Sequence, residues 1–317
     1  MTAYILRRIL LTFPVLFIVT TALFVIIRVT PGDPIQIQYG IEATPDQVEA
    51  VRQELGLDRP IVIQYFDWVT DILGGDFGHS LRSRRPVMDE IWERLPATLE
   101  MQILAFFLSL GVSVPLGAFA ALKRRTLFAT LTTSFSLIFI SVPGFFVSTM
   151  LVFFFTYEFR IFEQPRYVPL AEDPLQNLRN LVLPVIALSI GAVAVYARFI
   201  RASVLEALSQ DYIRTARAKG LREWQVLTRH ALRNALIPVI TLFGLSVATL
   251  WTGAFITERI FNWPGVGRLA TTALVNKDYP VVQAIVFLVT ISYVLGNLLV
   301  DVAYAFADPR IRYVRRR

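Results

Sequence analysis

Apolar residues in this chain come in long unbroken blocks, not at the one-face spacing of a soluble helix or the alternation of a strand. Counted as stretches free of Asp, Glu, Lys and Arg, six approach or exceed the roughly 20 residues a helix needs to cross a bilayer: 9–27, 101–122, 126–157, 180–197, 234–257 and 279–300. The third, at 1.5 Å per residue, would be about 48 Å long, too long for one straight span and too short for two. Its first turns are expected at the interface, with a bend at Pro143-Gly144. The first stretch follows Arg7-Arg8 but is longer than a signal-peptide core, and no small-x-small cleavage site follows it. It reads as a retained span. The pattern predicts an all-α polytopic membrane protein with six transmembrane helices. The segments are an N-terminal helix (1–29), an external segment (30–94), a five-helix core (95–304) and a basic tail (305–317).

The external segment is the longest polar interval and reads as short helices. Thr44-Pro45-Asp46-Gln47 is a capping box with Pro at the first helical position. Val48, Val51 and Leu55 then share a face, and Gly56 stops the helix. A second run starts at Pro60, carries Tyr65, Phe66, Val69 and Leu73, and stops at Gly74-Gly75. A third starts at Pro86, with Ile91 and Leu95 one turn apart. Runs this short need something to pack on. Bracing the first span and binding an external partner both fit. His79, between Gly78 and Ser80, has no Asp, Glu or Cys at metal-ligand spacing and reads as a solvated loop residue.

Composition agrees with the block pattern. Hydrophobic residues make up 55% of the chain, charged residues 17%, and mean hydropathy is +0.56. A soluble domain carries about 25% charged residues. With no Cys and two His, thiolate chemistry and Cys- or His-rich metal centres are excluded, and no cofactor is expected.

The charges also give a sidedness. The segments 1–8, 123–125, 198–233 and 302–317 hold 18 basic and 4 acidic residues; the opposite segments, 28–100, 158–179 and 258–278, hold 13 basic and 19 acidic. The basic excess lies with the termini, so both are expected in the cytoplasm. Lys123-Arg124-Arg125 and Arg315-Arg316-Arg317 read as topology anchors beside membrane lipid.

Several chemistries are missing. No Gly-x-x-x-x-Gly-Lys-[Ser/Thr] phosphate loop occurs, nor His-Glu-x-x-His, nor Gly-x-Ser-x-Gly. Ionisable residues sit at span ends (Arg28, Glu100, Arg198, Glu258, Asp301) and are nearly absent within spans. A proton-coupled carrier needs buried relays. The chain therefore reads as a non-enzymatic membrane component whose energy comes from elsewhere. A stand-alone carrier or channel for a small polar solute remains the alternative.

The largest cytoplasmic loop, 198–233, holds eight basic and three acidic residues. Asp211 is placed to cap a short helix, Tyr212 to Lys219, with Gly220 at the position where a left-handed backbone is needed. A second helix, Arg222 to Asn234, carries Trp224, Leu227 and Ala231 on one face. Two short helices joined at a glycine make a compact knob, basic on its outer side. It suits docking into a groove of a soluble partner. It also suits lying on anionic lipid with Trp224 at the interface.

Asp211-Tyr212-Ile213-Arg214-Thr215-Ala216-Arg217-Ala218-Lys219-Gly220, then His230-Ala231-Leu232-Arg233-Asn234-Ala235 and Pro238, resembles the coupling loop of ATP-binding-cassette importer permeases, the dipeptide/oligopeptide/nickel branch in particular. In the general family that loop begins Glu-Ala-Ala, with a glycine four residues after the second alanine. Here Ala216 and Gly220 keep those places, and Arg214-Thr215 replaces Glu-Ala, as the peptide branch does. The resemblance covers nearly the whole chain. It includes Pro31-Gly32-Asp33-Pro34, Glu54-Leu55-Gly56-Leu57-Asp58, Gly75-Asp76-Phe77-Gly78-His79-Ser80 and Pro96-Ala97-Thr98-Leu99-Glu100. It continues through Glu258, Trp263-Pro264-Gly265-Val266-Gly267, Asp278-Tyr279-Pro280 and Asp308-Pro309-Arg310.

The resemblance implies a type I importer permease fold in a bacterial inner membrane. It implies a pore formed with a paralogous permease as a heterodimer, two cytoplasmic ATPases and an external solute-binding protein. Peptide is the implied substrate class, and nucleic acid has no part. Asp211, Tyr212, Arg214, Ala216, Arg217, Lys219 and Gly220 would meet the ATPase. Pro143, Gly144, Trp251, Asn297 and Asp301 are polar or kinked points that could border the pathway, although packing explains each as well.

Overall fold

The computed structural model describes residues 2–29, 46, 49, 52–53, 56, 58–163, 166–236, 239 and 254–307, the side chains of 2–9, 11–12, 27–28 and 299–307 excepted. The described residues are helical, with one isolated bridge between His79 and Pro86 and no strand. The first helix of the external segment falls mostly outside them, although Gly56 takes φ +62° as its stop requires. Most of the fifth apolar stretch, 234–257, and Trp251 within it also lie outside.

Two long helices form the spine, α3 (Val87–Leu122) and α6 (Pro174–Leu208); α1 (Thr2–Val29) and α2 (Ile61–Leu73) precede them. At 36 and 35 residues, α3 and α6 run a little over 50 Å each by the rise of about 1.5 Å per residue. A hydrocarbon core is about 30 Å thick, so both project into water. They pack through small residues that let backbones approach closely. Ala97 and Ala105 of α3 meet Leu181 and Val185 of α6 in one half, and Ala118 and Ala121 meet Ile200 and Val204 in the other.

Two expectations change here. The run starting at Pro86 is not a separate external helix. It continues unbroken through Pro96 into the second apolar stretch, so the 94/95 boundary falls inside α3. Pro96 lacks an amide hydrogen, but the turn after it is pinned from outside, because Trp263 Nε1 donates to the Ala97 carbonyl at 2.8 Å. The 198–233 loop likewise starts as helix, since α6 runs on to Leu208.

The bend at Pro143-Gly144 is present and sharp. α4 (Leu127–Ser141) meets α5 (Gly144–Val152, continued as π-helix over Phe153–Glu158) at 100°. The residue before a proline is pushed out of the helical region, and Val142 (ψ 125°) and Pro143 (ψ 137°) are both extended. Two extended residues in sequence give a corner. Among the described residues, α3, α6 and α10 (Tyr279–Ala307) are long and apolar enough to cross a membrane, with the bent α4–α5 pair as a further candidate.

α2 starts after Pro60 and stops at Gly74 as expected, but only part of its apolar set faces inward. Tyr65, Trp68 and Ile72 face the protein, while Phe66 and Leu73 are exposed. The face at i, i+3, i+7 wins because α1 supplies partners for it. Tyr65 Oη hydrogen-bonds Thr21 Oγ1 at 2.7 Å, and the Phe24 ring sits 5.3 Å from Tyr65 and 5.6 Å from Trp68. α2 therefore braces α1 along the C-terminal half of the first apolar stretch.

Candidate functional site

After α6 the chain turns at Ser209-Gln210 into α7 (Asp211–Ala218). The cap is Gln210, and no side chain caps the helix; Asp211 is the first helical residue, so the helix starts one position earlier than expected. There its charge suits the positive end of the helix, and its carboxylate lies 3.4 Å from the Arg214 guanidinium. Gly220 ends the turn with φ +78°, its amide donating to the Arg217 carbonyl at 2.9 Å. The left-handed backbone anticipated at this glycine is present. The second helix, α8, opens with a single α-turn (Glu223–Gln225), continues as π-helix over Val226–Ala231 and resumes as α-helix through residue 236.

The knob is seated on the spine. Ile213 and Ala216 from α7 and Val226, Leu227 and Ala231 from α8 are buried in one cluster with Tyr196, Ile200, Val204 and Ala207 of α6 and Ala118 and Ala121 of α3. Ile213, Val226 and Ala231 are wholly buried and Leu227 is 1% exposed. Each large apolar side chain contributes about 1.5–3 kcal/mol on burial, enough to hold a segment whose helices are too short to persist alone. Trp224 shares the expected face only in part. It is 55% exposed and stacks on Phe119 of α3, ring centroids 5.6 Å apart. Asn234 Nδ2 donates to Tyr212 Oη at 3.0 Å, tying α7 to the start of the fifth stretch.

The outer side is polar. Asp211, Tyr212, Arg214, Arg217, Lys219 and Gly220 are exposed, while Ala216 belongs to the seat. Arg217 is not wholly available to a partner. Its Nε donates to Glu223 at 2.7 Å and its Nη2 at 3.1 Å, and these hydrogen bonds hold the Glu223 carboxyl below its ordinary range. Sequence reasoning missed Ile213. Its only signal is that Ile213 and Ala216 are apolar one turn apart in an otherwise polar helix.

The suggested pathway residues are dispersed. Pro143 and Gly144 are exposed at the α4–α5 corner, and Asn297 is half-buried in α10. Asp301 lies further along α10 with its side chain undescribed, and Trp251 is outside the described residues.

The opposite end carries a second constellation that the sequence showed only as motif. Glu258 is wholly buried between α3 and α9 (Val266–Val275). Thr98 Oγ1 donates to its Oε1 at 2.7 Å, the Arg268 amide donates to its Oε2 at 2.8 Å, and the Val266 amide donates to Thr98 Oγ1 at 2.8 Å. Burial pushes the Glu258 carboxyl up to about 7, against the hydrogen bonds from Thr98 and from the Arg268 and Gly267 amides. A Cβ on Gly265 would lie 2.3 Å from that carboxyl, so only glycine fits there. Asp278 plays the same part for the 80–82 turn. Ser80 Oγ donates to it at 2.5 Å, the Leu81 amide at 3.0 Å and the Arg82 amide at 3.4 Å. Two carboxylates thus clasp the segment before α3 and the N-terminal part of α3 to the connection between the fifth and sixth stretches.

Comparison with known proteins agrees with this architecture. The family model "Binding-protein-dependent transport system inner membrane component" matches residues 113–313, and its N-terminal companion matches residues 1–102. A probable peptide ABC transporter permease of Sinorhizobium fredii is 40% identical over 99% of this chain and 100% of its own length. A dipeptide transport system permease of Alkalihalophilus pseudofirmus is 38% identical, and a glutathione transport system permease of Escherichia coli K12 is 39% identical, each over 99% of this chain and the whole of the relative.

Proposed function

We propose, from the premise that the chain belongs to the family of binding-protein-dependent transport system inner membrane components, that it forms half of the translocation pathway of an ABC importer for peptides. The relatives named for peptide, dipeptide and glutathione transport support the substrate class. A paralogous permease supplies the other half, two cytoplasmic ATPases drive the cycle, and an external binding protein delivers the peptide. Both termini and the 198–233 segment face the cytoplasm, as the basic-residue asymmetry supports. Residues 30–94 face outward, and the core 95–304 carries six-span transport geometry together with α1.

The observation that carries the reading is the seated knob. Its apolar side is buried on α3 and α6, and its exposed side presents Asp211, Tyr212, Arg214, Lys219 and Gly220 to the cytoplasm. Displacement of this knob by a partner passes directly into the two longest helices. ATP binding that brings two ATPases together would move both knobs inward and favour the outward-facing state, and hydrolysis would release them. This is a population shift set by differential contacts. The chain contributes no chemical step to it.

Reconstitution tests the proposal. Liposomes holding the four-subunit complex should take up peptide only with ATP and the binding protein. Uptake by this chain alone, with neither, would establish the stand-alone carrier instead. Single cysteines at Thr44 and Ser209 test the sidedness: an impermeant thiol reagent should label the first in whole cells and spare the second.

A further inference from the structure

On the outer side, a cleft of about 340 Å³ opens between the 80–94 segment and α9, and a second of about 280 Å³ adjoins it through shared Arg94, Leu269 and Thr272. Four arginines line the pair, Arg82, Arg85, Arg94 and Arg268. Of the carboxylates nearby, Asp278, Glu258 and Glu90 are buried, and the exposed Glu93 is taken up by Arg85. Asp278 and Glu258 spend their oxygens on buried donors, including the backbone amides of Arg82 and Arg268 themselves. Glu90 is 5% exposed; its carboxylate accepts from Ser83 and forms an ion pair with Arg94 at 3.5 Å, and Arg94 Nη1 also donates to the Glu90 backbone carbonyl at 2.7 Å. Arg85 is paired with Glu93, and one Arg268 Nη bonds the Asn262 carbonyl at 3.1 Å. Among the described residues the exposed Arg82 guanidinium makes no hydrogen bond or ion pair.

The clasp therefore fixes the backbones of Arg82 and Arg268 while leaving their positive charge facing the cleft. This concentration is local, because the outer segments as a whole carry 13 basic against 19 acidic residues. A broadly acidic face does not attract an anionic lipid surface. A basic recess within it selects a short acidic protrusion that can enter. We propose that this cleft receives acidic side chains of the external solute-binding protein, the proposal resting on the importer reading above.

The assembled transporter in nanodiscs, its ATPase activity titrated with the binding protein, provides the test. Charge pairs at an interface rim govern encounter rate and salt dependence more than turnover. Arg82→Glu should raise the half-saturating binding-protein concentration about 10-fold at low salt, and Arg82→Glu with Arg268→Glu further. Both variants should flatten the salt dependence and leave ATPase activity at saturation within about twofold. Arg82→Lys should stay close to wild type, and an unchanged melting temperature would establish that the variants are folded. Wild-type half-saturation and salt dependence in the double variant would overturn the docking site, as would a lowered maximum at unchanged half-saturation, which would place the cleft in the translocation pathway. A wild-type complex that never responds to any binding protein would remove the importer reading, and the docking site with it.

Discussion

The two ends of this molecule hold their accessory segments by opposite means. At the end proposed to face the cytoplasm, α7 and α8 are seated through Ile213, Ala216, Val226, Leu227 and Ala231, with their charges left outside. At the opposite end, proposed to face outward, the 80–82 turn and α9 are held by the buried carboxylates of Asp278 and Glu258, with apolar packing from Val87, Ile91, Val266 and Ile285 beside them. An apolar seat is indifferent to pH and tolerates sliding, because dispersion and burial are non-directional. A carboxylate in a fixed set of donors is directional, so it holds one geometry and answers to protons. The inner attachment suits transmission of movement, and the outer suits preserving the shape of a recess.

The largest effect should come from charging the seat. Ile213→Asp puts an unpaired carboxylate where exposure is 0%, at a cost on the order of 4 kcal/mol. The knob should detach, and trypsin should cut after Arg214, Arg217 or Lys219 in inside-out vesicles much faster than in wild type. Cleavage at the wild-type rate would contradict the seat.

The outer clasp should respond to pH, and the seat should not. Glu258 sits at about 7 against an ordinary 4.5. The folded state therefore holds a proton that the unfolded chain releases between those values. Stability from this group is greatest below pH 4.5 and falls as pH rises through about 7, by about 3 kcal/mol in all. The melting temperature in nanodiscs should drop from pH 5 to pH 8 more in wild type than in Glu258→Gln. Equal slopes in the two proteins would remove Glu258 from the account.

The smallest effect belongs to the exposed pair on the knob. Both partners of the Arg217–Glu223 bridge are about half exposed, where such pairs contribute about 0.5 kcal/mol or less. Arg217→Ala should change uptake less than twofold. A tenfold loss would mean that Arg217 leaves Glu223 to meet the ATPase, a sharper role than its geometry supports.

The sequence was most informative where a local rule decides the outcome. Long apolar blocks located α3, α6 and α10, the Pro143-Gly144 pair marked the corner, and Gly220 declared its left-handed turn. What stayed hidden depends on partners distant in the chain. Phe66 and Trp68 are equally apolar in sequence, and only α1 decides that Trp68 turns inward. Glu258 looked like an ordinary charge at a span end until Thr98, 160 positions away, met it. Ile213 is not legible from the loop alone, because its burial depends on α6 and α3.

The central claim, that the seated knob couples a partner's ATP use to transport, is tested most directly at Gly220. No atom lies within 4 Å of where a Cβ would stand, so a substitution there acts through the backbone alone. Valine at φ +78° is penalised by about 1–2 kcal/mol, whereas asparagine tolerates that region. Peptide uptake per inserted complex should be measured in Gly220→Val and Gly220→Asn side by side. Membrane insertion should be normal in both, with a large loss of uptake and of binding-protein-stimulated ATPase activity in Gly220→Val and near-wild-type values in Gly220→Asn. Wild-type uptake by normally inserted Gly220→Val would contradict the central claim.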